Sequence, residues 1–253
     1  MKNKFLKKIA GWFGYKLIAK DLIKNNRIIE NKSFLNIERI LGYLTKNNIV
    51  KSLVQVGAND GQRFDSLNHF IKDYKIKCIL VEPIEEHFKD LKNNYKGFEN
   101  IFFENSLISV NHEILYLYKA DTKSLSYYGD HVKGISSFDY EHLIKHGVKK
   151  RHIVKHKVNS ITISELLFKY KFNSFDLLFI DAEGYDGKIV NDFLSNSLIR
   201  PYIIFEYIHI DHKTFKNLTL NLTKNDYIFF SINENLICIP KEKQSSFIFQ
   251  NIF

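Results

Sequence analysis

"LVQVGANDGQ", residues 53–62, decides the fold. An apolar run ends at Gly57, and a second glycine follows at Gly61 with Asp60 between them. An apolar strand that runs straight into a glycine turn is the start of a βα unit, in which the backbone comes close to a ligand. Outward from this point, strands and helices alternate. The segment 63–74 has helical spacing through Phe64, Leu67, Phe70, Ile71 and Tyr74, and "CILVE" (78–82) is a second strand. Pro83 then opens a helix with Glu85 and Glu86 in its first turn, where proline and acids are favoured. "NIFFEN" (100–105) is a third strand, and "TISE" (162–165) is a capping box ahead of Leu166. "FDLLFIDAEG" (175–184) and "YIIFEYIHI" (202–210) supply a fourth and a fifth strand, and "YIFFSI" with "LICIP" forms a closing pair. The pattern predicts an α/β, Rossmann-like, doubly wound and mostly parallel sheet.

The chain has 253 residues and a net charge of +9. Residues 1–50 carry 11 Lys/Arg against 3 Asp/Glu, and residues 51–253 carry 26 against 25. The body is nearly neutral, which argues against a nucleic-acid-binding face. The local exception is "KKRHIVKHK" (149–157), which reads as a solvated loop or as a contact for a phosphate-bearing substrate. Cys78 and Cys238 each sit inside an apolar run and read as buried hydrophobes, which suits a cytoplasmic place. No apolar run is long enough to span a membrane.

Residues 1–48 read as a basic helical extension and 49–253 as the main domain, with the mixed stretch 107–158 as a substrate-binding insertion. In the extension, Phe5, Ile9, Phe13 and Leu17 share one helical face, and a second helix is expected over 33–46. The first helix packs on the domain or on a second subunit; the alternative is peripheral contact with an anionic membrane at its inner surface.

In a parallel sheet, ligands bind at the carboxyl ends of the strands. The residues there are Gly57, Ala58, Asn59, Asp60 and Gly61, then Glu82 and Pro83, then Asn105 and Ser106. Asp181, Glu183 and Gly184 follow the fourth strand, and Glu206 and His209 the fifth. Acids are frequent in this set, and Lys and Arg are missing from it. A dinucleotide needs a Gly-x-Gly-x-x-Gly turn for its pyrophosphate. Here the turn is Gly-x-x-x-Gly, with Asp60 where a phosphate would sit. Several carboxylates would repel that anion by several kcal/mol even at an effective dielectric of ~20. A cationic sulfonium donor, S-adenosylmethionine, fits this sign. Glu82, 25 residues beyond Gly57, is placed to accept the ribose hydroxyls.

"VGANDGQ", "VEPIEEHFKDL", "LLFIDAEGYDGKIV" and "IIFEY" resemble the successive motifs of the FkbM-type S-adenosylmethionine-dependent methyltransferases. The resemblance covers about residues 50–240. It implies the seven-stranded class I methyltransferase sheet and O-methyl transfer to a sugar or glycan hydroxyl, with S-adenosylhomocysteine as product. Gly57, Asn59 and Gly61 then match the cofactor turn, Glu82 the ribose acid, and Asn105 with Ser106 the adenine loop. Asp181, Glu183 and Glu206 match the acids beside the reacting centre. The chain departs from the family at Gln55, where an acid is common, and at Phe179, where Lys is common. The cofactor set expected is therefore Gln55, Gly57, Asn59, Asp60, Gly61, Glu82, Pro83, Asn105, Ser106 and Asp181. The catalytic set is Asp181, Glu183, Glu206 and His209.

His209 is a candidate general base, and His131 competes with it from the insertion. A divalent cation bridging Asp181 and Glu206 to the sugar is the less favoured alternative. The acceptor expected is a nucleotide-activated sugar or a surface glycan. The other readings are a methyltransferase for a phosphate-type or lipid-linked acceptor, and a non-catalytic cofactor-binding subunit.

Overall fold

The computed structural model describes residues 36–246, apart from residues 64, 112–114, 130, 131, 133 and 134. The first expected helix of the N-terminal extension and the candidate base His131 lie outside the described residues.

Helix α1 (Ile37–Lys46) is capped by Asn36, whose side chain accepts from the Arg39 amide, and it buries Ile40, Leu41 and Leu44. The part of this expected helix before Asn36 lies outside the described residues. Strand β1 (Ser52–Val56) leads to α2 (Asn68–Asp73), β2 (Lys77–Val81), α3 (Glu85–Asn94) and β3 (Ile101–Glu104). Helix α2 is shorter than its apolar spacing suggested. The Asp65 carboxylate accepts from the Leu67 amide at 2.9 Å and from Gln55 Nε2 at 3.0 Å, which holds residues 65–67 as a turn.

The stretch 107–158 has structure of its own. Strand β4 (Leu107–Ile108) is followed by β5 (Leu115–Ala120), β6 (Ser136–Ser137), α4 (Tyr140–Lys145) and β7 (Ile153–Val158). β5 pairs antiparallel with both β6 and β7 to make a separate three-stranded sheet. Strand β8 (Ser160–Ile161) pairs with β4. Helix α5 (Ile163–Lys169) carries the expected capping box between Thr162 and Glu165. Then come β9 (Leu177–Ile180), α6 (Asp186–Asn196), β10 (Tyr202–Glu206), α7 (His212–Lys224), β11 (Tyr227–Ile232) and β12 (Asn235–Pro240). β10 stops at Glu206, short of the expected end at 210, because residues 207–210 turn: the Ile210 amide donates to the Tyr207 carbonyl.

The central sheet has seven strands in the order β11-β12-β10-β9-β1-β2-β3. The run from β10 to β3 is parallel, and β12 is antiparallel to both of its neighbours. Both faces are covered, as a parallel sheet requires. Val54, Ile79, Leu178 and Ile203 pack with residues of α5, α6 and α7 on one face. The alternate residues Leu53, Leu80, Leu177 and Ile204 on the other face are fully buried too. This is the seven-stranded sheet that the sequence resemblance implies. Its register pairs Val56 with Val81 and with Ile180, and Ile180 with Phe205. The strand-end residues Gly57, Glu82, Asp181 and Glu206 are thereby brought to one edge. Among the described residues, no helix is long and apolar enough to cross a membrane.

Candidate active site

At that edge, beside the reversal of strand order between β1 and β9, lies a cavity of about 600 Å³. Crevices of this kind are where doubly wound sheets hold ligands. Its wall begins with the turn after β1. The Gly57 and Ala58 amides both donate to the Val81 carbonyl, at 3.0 and 2.9 Å, so the turn is bound to β2. Gly57 has φ +82°, and a Cβ there would meet the Asp181 carbonyl oxygen at 2.0 Å. Only glycine lets the two strand ends come this close. Asn59 also has positive φ, and its amide donates to Glu82 Oε2 at 3.0 Å. Glu82 Oε1 accepts from the Ile84 amide at 2.8 Å, so the carboxylate is held at both oxygens.

Of the residues expected from sequence to hold cofactor, Gln55, Gly57, Asn59, Glu82, Pro83, Ser106 and Asp181 line this cavity. Asp60, Gly61 and Asn105 are not among its lining residues. Asp60 Oδ1 accepts from the Gln62 and Arg63 amides and shapes the turn. Gly61 is placed by packing: a Cβ would lie 2.4 Å from Leu91 Cδ1 and 2.6 Å from Tyr95 Cε2. Asn105 Nδ2 donates to the Glu82 carbonyl at 2.9 Å, behind the wall.

Asp181, Glu183, Glu206 and His209, the four residues expected from sequence to be catalytic, line the same cavity. Glu183 takes left-handed backbone, φ 48°, a conformation a non-glycine residue adopts only when its surroundings impose it. Asp186, fully buried at the start of α6, imposes it by accepting from the Ala182 and Gly184 amides. His209 Nε2 lies 3.7 Å from Glu206 Oε1.

Packing carboxylates together withholds water and sets like charges against one another. Asp181 is accessible from the cavity, yet protein surrounds it on its other sides. That burial, with the charges of Glu183, Asp65 and Glu82, pushes its carboxyl up to about 7. Burial and then Asp181 raise Asp186 to about 7. Burial, with Asp181, Glu183, Asp186 and Glu234 around it, raises Glu206 to about 8.

Several site residues escaped sequence reasoning. His142, nearly buried on α4, places Nε2 2.9 Å from Glu183 Oε2. Its ring stands edge-on to His209, centroids 5.0 Å apart, and 4.6 Å from that of His146. Their four-residue separation in "EHLIKH" was the available signal. Asp65 also lines the cavity. Its Oδ2 and Gln55 Oε1 are buried with no hydrogen-bond partner. Burial raises the Asp65 carboxyl above its ordinary value. No residue of the basic run 149–157 lines the cavity.

Among the described residues, six carboxylates line the cavity: Asp65, Glu82, Asp181, Glu183, Glu206 and Glu234. They face one guanidinium, Arg63, which is itself 3.8 Å from Asp60 Oδ2.

Residues 55–229 match the family described as Methyltransferase FkbM domain. No curated protein matches the chain. Among solved structures, the chain is similar to an O-methyltransferase from Bacillus cereus in complex with SAH, at 8% identity, 93% of this chain, 97% of that one and a TM-score of 0.46. It is similar to an SAH-bound methyltransferase from Podospora anserina, at 8% identity, 94% and 95% coverage and a TM-score of 0.42. A ribosomal protein L11 methylase from Lactobacillus delbrueckii subsp. bulgaricus shows 14% identity, 81% and 77% coverage and a TM-score of 0.37.

Proposed function

Since the chain belongs to the FkbM methyltransferase family, we propose that it moves the methyl group of S-adenosylmethionine onto a sugar hydroxyl. The observation that carries the choice of donor is the lining of the cavity: among the described residues, six acidic side chains against one arginine. A sulfonium with an ammonium is attracted there, and a diphosphate is repelled.

In this reading Glu82, oriented by the Asn59 and Ile84 amides, accepts the ribose hydroxyls with its remaining lone pairs. Gln55 Oε1 and Asp65 Oδ2, both buried without partners, accept from the donor's ammonium. Asp65 thus supplies the carboxylate that Gln55 lacks. Asp181, Glu183 and Glu206 would stand at the methyl end of the donor. The acceptor oxygen attacks the methyl carbon in line, the carbon–sulfur bond breaks, and the electron pair stays on sulfur as S-adenosylhomocysteine leaves. Holding the two reactants in line provides most of the acceleration. Asp181, more accessible from the cavity than Glu183 or Glu206, takes the hydroxyl proton. A cytoplasmic place goes with this reading, in keeping with two free, buried cysteines.

The test is incubation with isotopically labelled methyl donor and a panel of nucleotide-sugars, free glycans, phosphate-type acceptors and lipid-linked acceptors, read by mass spectrometry. Label on a sugar oxygen is the expected result. Label only on a different acceptor would overturn the sugar assignment and leave the methyltransferase standing.

A further inference from the structure

The histidines and glutamates at the reactive end form a cluster of a different character from the rest of the cavity. Glu183, Glu206 and His209 offer ligand atoms that all lie within 4.8 Å of one another, and so do His142, His146 and His209. His209 belongs to both groups, so the two triads adjoin at its ring. They come from three parts of the fold: α4 and its end, the left-handed loop after β9, and the end of β10 with the turn that follows.

We propose that Glu183, Glu206 and His209 bind a first-row divalent metal ion beside the methyl-transfer centre, with His142 positioning Glu183. The spacing fits. Two neighbouring ligands on an ion at ~2.0–2.2 Å stand about 3 Å apart. His142 Nε2 and Glu183 Oε2 are 2.9 Å apart, yet His142 Nε2 makes no hydrogen bond by geometry. His142 therefore presses on the Glu183 carboxylate from beside the triad. His209 Nε2 and Glu206 Oε1, at 3.7 Å, need close by less than 1 Å, roughly, to ligate together. The donor set also selects the ion. Magnesium and calcium take oxygen ligands, whereas imidazoles mixed with carboxylates suit zinc, manganese, iron(II) or cobalt.

The metal's role rests on the methyltransferase reading of the cavity, although its binding does not. A bound ion with an open position polarises the acceptor hydroxyl and lowers its pKa. The hydroxyl proton then leaves to Asp181, and the metal-held oxygen attacks the methyl carbon with the same bond changes as before. Glu183, Glu206 and His209 act as ligands in this arrangement, and Asp181 remains the proton acceptor.

The test uses the full chain stripped with EDTA and then titrated with Zn²⁺ and with Co²⁺. One ion per chain, a raised melting temperature and visible d–d absorption in the Co²⁺ form are expected. His142→Gln should weaken metal affinity at least about tenfold. S-Adenosylhomocysteine should still raise the melting temperature of that variant, which shows that it is folded. A stripped protein that takes up neither ion and gains no thermal stability from them would overturn the metal site. If S-adenosylhomocysteine stabilises that same protein, the metal proposal alone has failed. If the metals bind and S-adenosylhomocysteine does not, the donor reading has failed instead.

Discussion

Gly57 and Asp181 touch through their backbones: a methyl group on the Gly57 α-carbon would sit 2.0 Å from the Asp181 carbonyl oxygen. That contact joins β1 to β9 at the point where the sheet reverses its order. Gly57→Ala must therefore both accept positive φ and force the strand ends apart. It is expected to cost about 1–3 kcal/mol of stability in urea unfolding. Binding of S-adenosylhomocysteine, followed by calorimetry, should weaken by at least about tenfold. A variant with the parent's stability and affinity would show that the close approach is unnecessary.

Glu82 is held by two backbone amides with lone pairs to spare, which suits a ribose diol. Glu82→Ala should weaken S-adenosylhomocysteine binding by roughly 1.5–3 kcal/mol, the range for a hydrogen bond to a charged group. Unchanged affinity in a titration would remove Glu82 from the nucleoside contact.

Asp65 gives a prediction of opposite signs. Burial raises its carboxyl, so carrying the charge at neutral pH disfavours the folded protein without ligand. Asp65→Asn keeps an acceptor for the Leu67 amide and removes the charge. The unliganded variant should melt at or above the parent temperature, while affinity for S-adenosylhomocysteine falls about tenfold. Thermal melts with and without ligand read both effects. A loss of stability with unchanged affinity would make Asp65 a purely structural residue.

Glu104 carries a pH dependence far from the reactive end. Burial opposes its charge, but Lys169 at 2.6 Å, Ser106 and Tyr170 outweigh burial and hold the carboxyl below its ordinary value of 4.5. A depressed carboxylate stabilises the fold above its unfolded pKa and loses that contribution as pH falls through the folded one. Glu104→Gln should be less stable than the parent by about 1–3 kcal/mol at neutral pH. The gap should narrow as pH drops below about 4.5. Melting curves over that range check it, and a gap independent of pH would contradict the assignment.

The sheet and the strand-end residues were readable from sequence for one reason. A parallel strand buried on both faces must be largely apolar, so its end is marked where that run gives way to a turn glycine or an acid. Gly57, Glu82, Asp181 and Glu206 all stand at such ends, and pairing such as Val56 with Val81 and Ile180 brings them level. Asp60, Gly61 and Asn105 share the same stretches of sequence, yet they face the turn or the α3 packing, since local order does not say which side of a loop a residue takes. His142 and His146 were hidden for another reason. Their approach to Glu183 depends on how the stretch after β6 folds back, as Ser137 Oγ donating to the Glu183 carbonyl at 3.5 Å records. No local periodicity encodes that. Helix α2 fell short of its spacing because the Asp65–Gln55 hydrogen bond, ten residues long, overrode propensity.

The most direct test of the account is calorimetric titration of the full chain with S-adenosylhomocysteine and, in parallel, with NAD. A cavity lined, among the described residues, by six acidic side chains and one arginine should bind the first in a one-to-one ratio and leave the second unbound. Binding of NAD, with no heat from S-adenosylhomocysteine, would contradict it.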